Sequence, residues 1–185
     1  ILASATTLSL AAGVLASGRQ VDGVLLRHAA SGMVFSYAVA PVSAWFLMVL
    51  GIVAIPVAFY SAGYLAHAVA ASRMASVGIG FNALLGSVEL VFAAGDVVTF
   101  LFAWEVMTLA TAALVATDHD VRASRRAAYL FLVMSHVGTG CLVAGFLALV
   151  AVSGSVAFST VLAGHAMSAA MRHGLFVLFV GGFGG

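Results

Sequence analysis

From Met74 to Thr117 the chain is apolar almost without interruption, and Gly95–Asp96 is its one break that water would favour. As a single α-helix this stretch would be over about 60 Å long, twice the hydrocarbon core of a bilayer. It must therefore turn back on itself, which places helices at 74–94 and 97–117. No water-soluble fold of this size could hide the remainder. The 185 residues are 64% hydrophobic and 7% charged, with a mean hydropathy of +1.20, whereas soluble domains carry about 25% charged residues. Alternating strands of an outer-membrane barrel are absent from the pattern.

The same reading, carried along the chain, gives an all-α fold: a polytopic transmembrane helical bundle of about six hydrophobic helices, the first and last truncated. Residues 1–185 read as a single transmembrane domain, a fragment of a longer subunit. The first helix covers Ile1 to Ala16. A more polar stretch, Ser17 to Ala40, holds Arg19, Asp22 and Arg27, and its alternation around Met33 to Val39 suits a short strand or hairpin. Pro41 suits the first turn of the second helix, which runs to about Leu65 with an expected kink at Pro56. The fifth helix runs from about Ser124 to Val152, residues 155–171 suit a short surface helix, and the sixth begins near Arg172. Arg73, Arg122, Arg125 and Arg126 are crowded into two short connections on one side, so the positive-inside rule puts that side in the cytoplasm. The expected location is a bacterial inner (cytoplasmic) membrane, crossed several times. A net charge of +1 does not point to nucleic acid, and one cysteine, Cys141, gives no disulfide or metal framework. No zinc, nucleophile-elbow, kinase or dinucleotide motif occurs. No cofactor, no metal and no catalytic chemistry are expected in this chain itself.

The buried acid is Glu105. It stands mid-way along the run Val97 to Thr117, behind Phe100, Leu101, Phe102 and Trp104. An acid at a membrane-helix centre costs about 2.5–3.5 kcal/mol, and the commonest use of such a group is to move a proton or a cation. Counting from the cytoplasmic helix ends puts Glu105 and His136 each about 18 Å deep and Glu89 about 22 Å deep, in one layer near the midplane. On the fifth helix Tyr129, His136, Thr139 and Gly140 recur at one face. A polar seam between the fourth and fifth helices follows, with His136 as a proton relay suited by its near-neutral ionisation. Blander roles stand beside these. Glu105 could bond to Thr108 or a neighbouring carbonyl, His136 to Tyr129 or Ser135, and Glu89 across a helix rich in glycine (Gly78, Gly80, Gly86). Asp96 reads as a turn residue and helix cap, Asp118-His119-Asp120 as interfacial capping, and His28, His67, His165 and His173 as interfacial. The Gly181–Gly185 tail is not a phosphate loop.

The string Phe100-Leu-Phe-Ala-Trp-Glu-Val-Met-Thr-Leu-Ala-Thr111 resembles the Trp-Glu helix of antiporter-like membrane subunits. These are found in complex I-type NADH:quinone oxidoreductases, in membrane-bound hydrogenases of the formate hydrogenlyase and hydrogenase-4 type, and in Mrp cation/proton antiporters. Phe59 to Leu65, Ala128-Tyr129 through Thr139, and Gly182-Phe183-Gly184 are similar to further stretches of that family, in its order. The histidine at 136 is similar to the hydrogenase branch. The resemblance implies a proton-translocating subunit of an oxidoreductase complex, embedded in the lipid bilayer beside other membrane subunits, which carry electrons and quinone. Glu105 matches the glutamate that pairs with a lysine on a later, broken helix. The chain has no lysine, and the expected partner lies beyond residue 185. Moving a cation toward or away from a buried carboxylate changes its hold on a proton. The alternatives are a sodium/proton antiporter without redox chemistry and a non-conducting membrane anchor.

Overall fold

The computed structural model describes residues 2–68 and 71–184, apart from the side chains of 2, 3, 62, 65–68, 71 and 72. Ile1, Gly185 and the side chains of His67 and Leu65, each named above, lie outside the described residues. Six long helices carry the fold: α1 (Leu2–Ser17), α2 (Pro41–Ala68), α3 (Ala71–Ala93), α4 (Val97–Val115), α5 (Arg122–Ser153) and α7 (Ala169–Gly184). α2 to α5 are long and apolar enough to cross a membrane, and α1 and α7 are shorter apolar helices. The chain is an all-α, multi-pass membrane protein. Helix α2 continues unbroken through Pro56.

The polar stretch after α1 folds as an antiparallel hairpin of β1 (Val21–Arg27) and β2 (Val34–Val39), with Val21 opposite Val39 and Arg27 opposite Val34. The register shifts between Val24 and Leu26. Tyr37 lies directly over Gly23, where a Cβ would meet the phenol oxygen at 2.8 Å. The surface helix expected over 155–171 is not there. A single turn, α6 (Phe158–Val161), forms, and the backbone then reverses through a left-handed Gly164 (φ +78). Its neighbouring amides are spent elsewhere. Val97 N–H donates to Val156 C=O at 2.9 Å and Phe158 N–H to Gly95 C=O at 3.1 Å. On the other flank of the same turn, Gly95 N–H donates to Ser36 C=O at 2.9 Å. The break between α3 and α4 thus lies as an extended strip between the hairpin and the 156–158 segment. Three pieces far apart in sequence share one hydrogen-bonded layer, because extended backbone at the end of a span must find partners for its amides.

Two buried clusters hold the bundle. One gathers Val97, Leu142, Phe146, Leu149, Val161 and Leu175; the other gathers Ala11, Val14, Val39, Ala44 and Leu47. Between α5 and α7 the backbones approach at glycines. A Cβ on Gly138 would stand 3.1 Å from Gly182 O, and one on Gly182 would stand 2.5 Å from a methyl of Leu142. Small residues that admit such close approach are what hold membrane helices together, where lipid is as apolar as the side chains. Trp45, Phe46, Val49, Ile52 and Phe59 accordingly point outward from α2 at no hydrophobic cost.

Candidate functional site

Helix α4 begins where its sequence says it should. Asp96 is in an extended conformation, and its carboxylate accepts Thr99 N–H at 2.8 Å, a side-chain N-cap. It does more than cap. It also accepts the Thr99 hydroxyl at 2.8 Å, Ser36 N–H at 2.7 Å and the Ser36 hydroxyl, while only 3% exposed. A buried carboxylate with four donors and the positive end of a helix needs no cation beside it. The cap therefore fastens the hairpin to the start of the helix that carries Glu105.

Two and a half turns further along α4, Glu105 points toward α5. His136 Nε2 lies 3.7 Å from its Oε2. That is an ion-pair contact and too long for a hydrogen bond. The Glu105 side chain is 33% exposed and that of His136 53% exposed. The other imidazole nitrogen, Nδ1, is 2.8 Å from Leu132 C=O. A carbonyl only accepts, so Nδ1 carries a proton, and a neutral ring turns the lone pair of Nε2 toward the carboxylate. Two lone pairs facing each other repel. The contact is favourable with one proton in it, held either as Glu105 COOH or as imidazolium. Chemically, the pair is a one-proton site bridging two helices.

The other residues expected near Glu105 are arranged differently from one another. The Thr108 hydroxyl is buried and donates at 2.9 Å to the backbone carbonyl of Glu105, leaving the carboxylate free of it. Tyr129, His136 and Gly140 form an exposed stripe on α5, but Thr139 turns inward and is 7% exposed. Among the described residues its hydroxyl has no hydrogen-bond partner, and neither has the buried Oε1 of Glu89. Gly80 packs against Leu114. Nine residues after Gly80 stands Glu89 and nine before Leu114 stands Glu105, so along antiparallel helices the two acids share one level in the bundle.

At the opposite membrane face Arg73 reaches from the start of α3 to Asp118, at 3.0 Å, and to Asp120. Arg125 donates to the carbonyls of His119 and Asp120, the latter at 3.2 Å. The expected capping role for the Asp118–Asp120 cluster is thus replaced by an ion bridge. Val121 precedes α5 without a side-chain cap, because both carboxylates face Arg73. His28 bonds Ser31 at 2.7 Å and His165 bonds Thr160 C=O at 2.8 Å.

Sequence reasoning missed Ser36 and Thr99 as partners of Asp96. An Asp followed three residues later by Thr before an apolar run is a legible capping pattern; nothing in Phe35-Ser36-Tyr37 signals a partner sixty residues away. The aromatic cluster around Phe100 and Trp104 was also not legible, since its members come from four separate segments.

Residues 94–185 match a family described as NADH:quinone oxidoreductase/Mrp antiporter, TM. Two uncharacterized proteins of Mycobacterium tuberculosis, from strains CDC 1551 / Oshkosh and H37Rv, are each 35% identical over 141 residues, covering 76% of this chain. The chain spans about a fifth of the length of these curated relatives, 21%. Among solved structures, a chain of the membrane-bound sulfane sulfur reductase, an archaeal respiratory membrane complex, superposes with a TM-score of 0.72 at 22% identity, over 99% of this chain and 28% of that one. The fold is shared with that structure.

Proposed function

We propose, from the premise that this chain is an antiporter-like membrane subunit, that it translocates protons within a respiratory oxidoreductase complex. The complex is of the NADH:quinone or hydrogenase type. Electrons move in other subunits, and this chain moves protons through the membrane interior. The observation that carries the reading is the Glu105–His136 contact of 3.7 Å between α4 and α5. An acid in this setting is costly unless used, and the pair can hold one proton on either the carboxyl or the imidazole with no net charge. Glu105 is the proton-holding acid and His136 the relay. Thr139 and Tyr129 stand on the same helix as supports, and Glu89 is a second acid at the same level. The structural likeness to a chain of a respiratory membrane complex supports assembly with other membrane subunits.

The test is Glu105→Gln in the full-length subunit within its complex, with proton uptake followed in inverted membrane vesicles. Glutamine keeps shape and loses the titrating proton, so uptake should fall to background while the complex still assembles. Undiminished uptake would refute the reading. A sodium/proton antiporter is the second reading, favoured by the family description that covers both classes; it predicts that uptake in the wild type requires a sodium gradient and no electron donor.

A further inference from the structure

On the hairpin side the fold encloses a cleft of about 800 Å³. Its rim is polar and exposed, with Gln20 and Asp22 on one edge and Ser159 on the other. Inside, its wall is Phe100 and Phe158, both half-buried. The Phe100 ring lies 5.7 Å from Trp104, 5.4 Å from Phe146, 5.9 Å from Phe158 and 6.2 Å from Phe183. Trp104 and Phe183 meet edge to face at 5.5 Å. Of these rings Phe100 and Phe158 line the cleft, Trp104, Phe146 and Phe183 pack against Phe100, and the residue after Trp104 is Glu105.

The distances make this packing consequential. Phe100 precedes Glu105 by five residues, about 7.5 Å along the helix axis. The buried Thr139 hydroxyl, one turn from His136 on α5, has no partner among the described residues. Along α4 the Phe100 and Trp104 rings stand between the cleft and Glu105, and they offer water almost no hydrogen bonds. Such constrictions block conduction by expelling water rather than by filling space. We propose that the cleft is the aqueous mouth, on the hairpin side, for protons exchanged at Glu105 and His136, and that Phe100 is the seal between its water and that pair. This inference rests on the proton-translocation reading above. A translocating site must be closed to one side while open to the other; Phe100 and Phe158 both line the cleft and belong to the aromatic layer, and of the two Phe100 stands on the helix that carries Glu105.

The experiment uses the full-length subunit in its complex, in a cysteine-free background with Cys141→Ala. Ser159→Cys at the rim and Ser31→Cys at the hairpin turn are treated with a membrane-impermeant maleimide from each side of the membrane. The expected result is labelling of both from the hairpin side alone, with proton uptake lost for Ser159→Cys and retained for Ser31→Cys. Phe100→Ala should raise passive proton leak by about tenfold or more, equivalent to roughly 1.4 kcal/mol off the barrier, and adding Glu105→Gln should abolish that leak. Labelling of Ser159→Cys without effect on uptake, labelling from the arginine side, or an assembled Phe100→Ala complex that stays tight would each overturn the proposal. If Phe100→Ala does not assemble, the labelling result alone decides. Loss of uptake in Glu105→Gln together with harmless labelling at Ser159→Cys would sink the mouth and leave the translocation reading standing. Normal uptake in Glu105→Gln would sink that reading itself.

Discussion

Replacing Asp96 by asparagine should loosen the hairpin from the membrane domain, although the two side chains have nearly the same shape. The reason is the distribution of donors. One carboxylate oxygen accepts Thr99 N–H at 2.8 Å, and the other accepts Ser36 N–H at 2.7 Å. Backbone amides cannot rotate away, whereas the Ser36 and Thr99 hydroxyls can. Asparagine has one oxygen and one amide nitrogen, so in either orientation it sets a donor against one of the two backbone donors. A buried group left unsatisfied costs about 1–3 kcal/mol. Thr99 Oγ1 lies 2.9 Å from Ser36 N and keeps that amide partly satisfied. The favoured orientation therefore aims the asparagine oxygen at Thr99 N–H, and the cost settles near 2 kcal/mol. Asp96→Ala also removes the cap, worth about 1 kcal/mol more, and strips both amides. Hydrogen–deuterium exchange of the full-length subunit in detergent micelles reads this directly. A loss of about 2 kcal/mol should speed exchange in 34–39 and 97–101 about thirtyfold. Amides near the Gly138–Gly182 contact should be unaffected, since distant sites act independently. Equal protection in Asp96→Asn and wild type, or an Asp96→Ala protein no worse than Asp96→Asn, would refute the reasoning.

Three further outcomes follow from the same geometry. Gly182→Leu should push α7 from α5, because a Cβ there already meets Leu142 at 2.5 Å and Gly138 O at 3.2 Å; overpacking of this kind costs about 1–3 kcal/mol, measurable as a lowered thermal midpoint of the detergent-solubilised subunit. Thr139→Val removes a buried hydroxyl that has no partner among the described residues, so stability should hold or rise by up to about 1 kcal/mol, and a marked loss would show that the hydroxyl is bonded. Arg73→Ala breaks a partly exposed bridge to Asp118 and Asp120; the cost should be about 0.2–1 kcal/mol and shrink in high salt, which thermal melts at two ionic strengths will show.

Much of the architecture was legible because it is local. A run from Met74 to Thr117 is too long for one span and has one break, so the turn at Gly95–Asp96 and the helices on either side were determined by chain length against bilayer thickness. The start of α2 at Pro41 and the hairpin before it followed from local residue pattern in the same way. The acid of the site was legible too, since a carboxylate inside an apolar run is conspicuous without any partner in view. The expected surface helix over 155–171 failed for the opposite reason. Its Phe158 N–H and Val156 C=O are taken up by Gly95 and Val97, and composition carries no trace of that. Depth along the helices put Glu105 and His136 in one layer, and they meet at 3.7 Å, whereas periodicity also put Thr139 on that face and the structure turns it inward. His136 and Thr139 sit on neighbouring rows of α5, yet one faces the carboxylate and the other turns away from solvent, and the close glycine contact with α7 accompanies that rotation. By itself the sequence determined that the chain crosses a membrane several times and carries an acid inside one span, because transfer free energy scales with what each residue is. Tertiary structure alone decided that Asp96 ties the hairpin to α4, that Phe100 gathers rings from four segments, and that Thr139 turns inward. Hydrogen bonds and ring contacts are pairwise and directional, and their partners come from segments whose separation in sequence bears no relation to their distance in space.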